Sequence, residues 1–491
     1  MVAALWLLAP TSMYADGGKR EFRGAWMQFV NGMYLGKSTA EIQQMLTHQL
    51  DELEKDGANA IIFQVRGECD ALYESKIEPW SRYLTGVQGK APSPYWDPMA
   101  WMIQQCHRRG MEFHAWINPY RARMKSPTRL ADNHILKTHP ERAFEYGRLY
   151  VLTPGLKEDR DYILSVVDDI VSRYDIDGIH IDDYFYPYPE GGRPIPDDRE
   201  YALYNNGIAD RGDWRRYNVN LFVKEMGEHV HKLKPWVKFG VSPFGIYRNK
   251  KSSPIGSDTN GLQNYDQLYA DVLLWVNNGW IDYCVPQLYW HIGHPLADYE
   301  KLIKWWAKHM ANRPLYIGES IENTVQNSDP ANPNTHQMAA KFSLHRQLRN
   351  VSGTVLWYAK VAAEDIGSYG TMLRNVYWKS KALPPYMPFL DSKAPKKPAK
   401  VGDAWTEDGL MLYWSAPKAK KWGDEARRYV IYRFEKGEKV NLTDASKIVK
   451  ITYDNYYRLP YDGGTKKYKY VVTALDRVGN ESKGAKRKVK L

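Results

Sequence analysis

The residues best suited to chemistry lie in one stretch, DGIHIDDYFYPYP, residues 177 to 189. Asp182 and Asp183 are adjacent there, and Tyr184, Tyr186 and Tyr188 follow at once. A carboxyl group held protonated by burial or by a second carboxylate can donate a proton near neutral pH. Cleavage of a glycosidic bond needs such an acid, with a second group to stabilise or attack the cationic carbon. Flat rings beside it match the C–H face of a sugar. The competing reading is that the pair caps the next helix or is neutralised by a nearby arginine.

Something must hold that pair at an open edge. Ile179 and Ile181 alternate with His180, Asp182 and Tyr184, so the stretch reads as a strand with one apolar and one polar face. Such a strand suits a parallel barrel, whose active residues cluster at the C-terminal strand ends. The surrounding sequence has the matching rhythm. Strand patterns fall near residues 23–30, 58–66, 112–118, 178–182, 238–244, 283–290, 314–319 and 353–358. Helical patterns separate them, among them 38–56 (Ser38 as cap and Glu41 three residues on), 98–109, 159–174, 213–234, 265–278, 299–310, 336–349 and 369–381. Eight alternations predict an α/β fold, a (β/α)8 TIM barrel over residues 19–381, with a long insertion near 121–157.

A run rich in proline and lysine, 382–400, predicts a stiff linker. Beyond it, residues 401–491 carry short strand patterns without helices and predict a small all-β sandwich domain. The net charge of +11 is uneven: from residue 391 onward there are 24 Lys and Arg against 13 Asp and Glu, which leaves the barrel balanced. This points to a solvated basic surface or to docking of the last module on an anionic envelope polymer. No nucleic-acid motif accompanies the charge, so no nucleic-acid partner is expected. Three widely spaced cysteines give neither a disulfide framework nor a zinc site. Residues 2–15 are apolar but too short to span a bilayer. With the small residues that end them they read as a residual signal-like segment, residues 1–18, and predict export to the periplasm or cell surface. No cysteine follows to carry a lipid anchor.

Collecting the residues at the predicted strand ends gives Arg66, Glu68, Asp70 and Tyr73, then Asn118 and Tyr120, then Asp182, Asp183 and Tyr184, Ser242, Gln287, Tyr289 and Trp290, Glu319 and finally Trp357. This rim is rich in carboxylates and rings. It has no metal-binding histidine spacing and no phosphate loop, so neither a metal nor a cofactor is expected. Asp182 is the expected nucleophile or stabiliser, and Asp183, Glu319 or Asp70 the expected acid. Tyr184, Tyr289, Trp290 and Trp357 are expected to stack on sugar rings. Arg66, Asn118, Asp70 and Gln287 are expected to bind hydroxyls or an acidic substituent, although Arg66 could instead serve to hold Asp182 or Asp70.

The motifs EFRGAW, QVRGECDALY, EPWSRYLTG, HAWINPYRA, DGIHIDDYFYPYP, VSPFG and VPQLYW, in this order, resemble the glycosyl-hydrolase-like family 10. That group of bacterial barrels includes a hydrolase of peptide-free peptidoglycan strands. The resemblance spans about residues 20 to 380 and implies a (β/α)8 barrel, an envelope location and an amino-sugar polymer as substrate. It places the family's aspartate pair on Asp182 and Asp183, and its arginine and aspartate after the second strand on Arg66 and Asp70. The chain departs from the family at Glu68 and Glu319. DGIHIDDY is also similar to the chitinase-type DGxDxDxE strand, with Asp182 at the third aspartate. Tyr184 replaces that motif's acid, which leaves substrate-assisted catalysis by an acetamido group open. YVIYR and YKYVVTALDRVGN resemble strands of a fibronectin type III module. The expected function is therefore glycoside hydrolysis of an envelope glycan. The alternative is a non-catalytic glycan-binding barrel anchored by the basic sandwich, and a metal-dependent deacetylase is a more distant one.

Overall fold

A computed structural model describes residues 18–491 apart from Ala311 and Lys420. The signal-like reading of residues 2–15 lies outside the described residues. Eight parallel strands close into a barrel in sequence order. They are β1 (Phe22–Met27), β2 (Ala60–Arg66), β3 (Glu112–Ile117), β4 (Gly178–Ile181), β5 (Lys238–Val241), β6 (Tyr283–Cys284), β7 (Leu315–Ser320) and β8 (Val351–Trp357). The last pairs with the first, Phe22 opposite Gly353, so the sheet has no free edge.

Local signals account for most of the elements. Helix α1 (Thr39–Asp56) begins with the expected reciprocal cap of Ser38 and Glu41. It ends at Gly57, whose φ of 97° and whose approach to the Trp378 carbonyl exclude a side chain. Two expectations are corrected, and the expected insertion gains a structure of its own. The predicted helix over 265–278 splits in two, Asn264–Gln267 and Val272–Asn277, where Tyr269 takes a left-handed conformation. The predicted strand 283–290 keeps ladder pairing only at Tyr283–Cys284, because Pro286 cannot donate, and continues as isolated bridges at Gln287. The insertion folds as a three-stranded sheet of its own, Arg121–Met124, Ala143–Tyr146 and Leu149–Leu152.

Two apolar layers result. The larger lies between strands and helices, and a smaller cluster fills the lumen around Phe22, Trp26, Ile62, Trp116, Tyr283 and Tyr316. Met387 and Val478, from beyond the barrel, complete the lumen cluster from below. The proline-rich run is thus more than a spacer. Glu21 N donates to Leu383 O at 2.9 Å, Met387 N donates to Val478 O at 3.1 Å, and both Leu383 and Met387 are buried.

The strands after Ala399 form a three-stranded and a four-stranded antiparallel sheet packed over Leu412, Trp414, Ile431, Tyr470 and Val472. This sandwich closes the N-terminal mouth of the barrel. Arg428 Nη2 lies 2.7 Å from Glu112 Oε1 at the start of β3, Arg477 Nη1 lies 2.8 Å from Asp175, and Lys450 Nζ lies 2.9 Å from Glu54. Tyr453 stacks on His107 with ring centres 4.3 Å apart. Part of the basic excess of the sandwich is therefore spent in this seam.

Candidate active site

At the opposite mouth a cleft of about 320 Å³ opens among Trp26, Gln28, Gln64, Trp116, Asn118, Arg121, Asp182, Tyr184, Ser242, Gln287, Tyr289 and Trp357. The strand period builds it. In β3, Glu112, His114 and Trp116 face inward, and Asn118 follows them. In β4, Gly178 and His180 do so, followed by Asp182, and in β5, Lys238 and Gly240, followed by Ser242. Larger hollows of 790 and 720 Å³ lie against the insertion and along the seam with the sandwich.

Asp182 is only 3% exposed and sits at the centre of this rim. Its Oδ2 accepts from Trp116 Nε1 at 3.1 Å and from Asn118 Nδ2. Its Oδ1 has no hydrogen-bond partner. Asn118 is itself fixed, because its Oδ1 accepts from Gln64 Nε2 at 2.6 Å and from Arg121. Burial first, and the neighbouring Asp183 second, push the Asp182 carboxyl up to about 7 against the pull of Arg121 and Trp116. Asp183 lies just behind the wall, 1% exposed, and accepts from Tyr188 OH. Burial raises it to about 6, opposed by Tyr188 and Gln287. Two adjacent acids thus stay partly protonated near neutrality, the condition for a general acid.

Rings form the walls. Tyr289 and Trp357 stack at 6.0 Å, Trp26 meets Trp357 edge-on at 6.2 Å, and Arg121 lies over Tyr184 at 5.4 Å. Burial and both aspartates push the Tyr184 phenol further up, so it keeps its proton at neutral pH.

The structure brings together Asp182, Asn118, Tyr184, Gln287, Tyr289 and Trp357 as expected, with Asp183 one layer behind. Four expected residues are elsewhere. Glu319 points outward from β7, because its neighbour Gly318 is the residue that packs inward against Trp26. Its Oε1 lies 2.6 Å from Lys341 Nζ and accepts from Thr324, so it is no cleft acid. Arg66 is displaced by a bulge between Gln64 and Arg66. It is fully buried on Glu78, with Nη2 to Oε1 at 2.7 Å, and clamps the carbonyls of Asn118 and Pro119. Its partner is neither Asp182 nor Asp70. Asp70 is buried beside Glu68, accepts from Gln88 at 3.1 Å, and orders the loop after β2. Trp290 turns aside to pack edge-on against Phe244 at 5.4 Å.

The reading of strand ends omitted Trp26, Gln28, Gln64, Trp116 and Arg121. All but Arg121 were accessible from alternation, since Trp26-Met-Gln28-Phe-Val30 repeats with period two and Gln64 and Trp116 share a phase with their neighbours. Arg121 was not, because its position depends on how the insertion sheet folds back.

The chain has relatives among known proteins. The chain is 39% identical over 483 residues to glycosyl hydrolase YngK of Bacillus subtilis, covering 96% of this chain and 94% of that protein. It is 37% identical over 332 residues to glycosyl hydrolase DigH of Escherichia coli K12, covering 64% of this chain and 75% of that one. Among solved structures, the catalytic domain of a β-amylase from Paenibacillus polymyxa matches with a TM-score of 0.46 at 12% identity, over 74% of this chain and 99% of that one. Both curated relatives are named as glycosyl hydrolases, which supports a glycosidase. The model of the family described as Glycosyl hydrolase-like 10 matches residues 21–334, from the first barrel strand through the seventh and including every residue of the cleft except Trp357, and the chain belongs to that family.

Proposed function

We propose that the protein hydrolyses a bacterial envelope glycan, either peptide-free peptidoglycan strands or a related amino-sugar polymer. The observation that carries this reading is Asp182. It is the carboxylate that lines the cleft, it is held by two N–H donors on one oxygen, and it is unpartnered on the other. Protonated at Oδ1, it donates to the leaving glycosidic oxygen, and the sugar–oxygen bond breaks. Asp183 keeps the proton available; buried outside the cleft lining and accepting from Tyr188, it is not the attacking group in this reading. The substrate's own acetamido oxygen then bonds to the anomeric carbon. Water, giving its proton to the Asp182 carboxylate, opens that ring with retained configuration.

The experiment is a digest of purified peptide-free strands and of N-acetylglucosamine oligomers, read by mass spectrometry. Saccharide release that Asp182→Asn abolishes supports the proposal, and so does inertness of the corresponding glucose oligomers, which lack the acetamido group. Tight binding without turnover in the wild type would make the barrel a glycan-binding module instead.

We further propose that the protein is exported and that its basic sandwich docks on an anionic envelope polymer. Lys467 stands opposite Lys490, and Lys469 opposite Lys488, on the last two paired strands. Like charges in register repel, and a polyanion lying along them would relieve that repulsion. Retention of the isolated protein on an anionic cell-wall polymer at low salt, lost at high salt, tests this.

A further inference from the structure

The lumen of this barrel contains a hydrogen-bonded chain that the hydrolytic reading does not use. Glu112 at the floor holds two cations, Lys238 Nζ at 2.6 Å and Arg428 Nη2 at 2.7 Å. His114 Nε2 lies 3.1 Å from Glu112 Oε2, and His114 Nδ1 lies 2.8 Å from Tyr283 OH. Tyr283 OH lies 3.1 Å from His180 Nδ1, and His180 Nε2 lies 2.9 Å from Ser242 Oγ on the cleft wall. All five residues are buried. The fold makes room for the chain with two glycines. A Cβ on Gly240 would stand 1.9 Å from the Tyr283 ring, and one on Gly178 would stand 2.4 Å from His114 Nδ1.

The direction of every proton follows from one end. Glu112, facing two cations, is an ionised acceptor, so His114 donates from Nε2. Burial keeps His114 neutral, and Lys238 beside it opposes a second proton, so Nδ1 is an acceptor and Tyr283 donates to it. The Tyr283 oxygen is then free only to accept, so His180 donates from Nδ1. His180 Nε2 accepts in turn, and Ser242 donates to it. An independent contact agrees, because Trp26 Nε1–H also points at His180 Nε2 from 3.4 Å, which requires an acceptor there. The opposite polarity would set two donors against each other and place a third positive charge beside Glu112.

We infer that Ser242 Oγ, its own proton committed to His180, is a fixed hydrogen-bond acceptor on the cleft wall that selects a sugar presenting an O–H or N–H donor beside Asp182. The acceptor is a specificity element imposed from the barrel floor. The substrate half of this inference rests on the glycan reading above, whereas the proton order does not.

The test has two arms on the full chain. Isotope-labelled histidine NMR reads the tautomers. His114 is expected as Nε2–H and His180 as Nδ1–H, with His180 alone changing in Tyr283→Phe. A wild-type His180 carrying its proton on Nε2 would overturn the inference. The second arm measures kcat/KM on peptide-free peptidoglycan strands, or affinity for the same strands if the wild type does not cut them. Ser242→Ala and Ser242→Cys are expected to lose on the order of tenfold, the worth of one hydrogen bond, while Ser242→Thr keeps most of it. Equal values for alanine and wild type would remove Ser242 as a selector even with the tautomers as assigned.

Discussion

Glu112 and Asp182 are both buried carboxylates of one barrel lumen, Glu112 on an inward position of a strand at the floor and Asp182 just beyond one at the rim, and their surroundings treat them in opposite ways. Burial raises both. At the floor, Lys238 and Arg428 within 2.7 Å outweigh that effect and hold Glu112 below the usual carboxylate range. At the rim, burial and the charge of Asp183 outweigh the pull of Arg121, and the Asp182 carboxyl rises to about 7. The floor is closed by the sandwich, whereas the rim stays open. Opposite environments are thus built around the same functional group, and the difference lies in whether cations contact the carboxylate directly, as Lys238 and Arg428 do at Glu112.

The contrast can be broken most severely at Asp182. Asp182→Asn should lower turnover on peptide-free strands by about a thousandfold or more, the usual weight of a lost acid, with no loss of Tm. An active variant would dismiss Asp182 as the acid.

Glu112→Gln should do the reverse. It leaves Lys238 and Arg428 facing each other in a dry site and should cost about 3–5 kcal/mol of folding stability, as in other broken buried pairs. Urea unfolding measures it, and a variant as stable as the wild type would show that the floor cluster is not an ion-pair anchor.

The pH dependence sharpens the comparison. The native Asp182 carboxyl sits above its ordinary 3.8, so its stabilising contribution is complete below pH about 4 and is lost as pH climbs through about 7. Glu112 sits below its ordinary 4.5, so its contribution is present above that value and is lost as pH falls through the native one. Unfolding curves from pH 5 to 8 should therefore show the wild type losing stability relative to Asp182→Asn as pH rises. Parallel curves would contradict the raised carboxyl. Asp183→Asn removes the neighbouring charge and should move the alkaline limb of activity to lower pH.

The smallest effect is expected in the sandwich. Replacing Lys469 and Lys488 by glutamine should weaken retention on an anionic polymer by a few-fold and leave turnover of soluble oligosaccharides unchanged. Retention equal to wild type would place the polymer elsewhere.

Period-two alternation was enough to find the eight strands, the inward phase of His180 and Asp182, and the aromatic rim with Asn118, Tyr184, Gln287, Tyr289 and Trp357. The helical period and the Ser38–Glu41 box were enough for α1. These features depend on neighbours within a turn or two, which the sequence writes out directly. Glu319 was misplaced for a physical reason: a strand end does not reveal which side its last residues face, and a small inward neighbour, Gly318, hands the outward side to the acid. Arg66 was misplaced by a bulge, one extra residue between Gln64 and Arg66 that shifts the phase of the alternation.

What the amino-acid order alone determined is the repeating architecture and the residue types at its rim, because local periodicity selects them. Only the tertiary structure decided which carboxylate is paired with cations and which is buried with its acidic neighbour. Arg428 reaches Glu112 from 316 residues away, and Asp182 keeps its proton because the fold brings it no comparable partner.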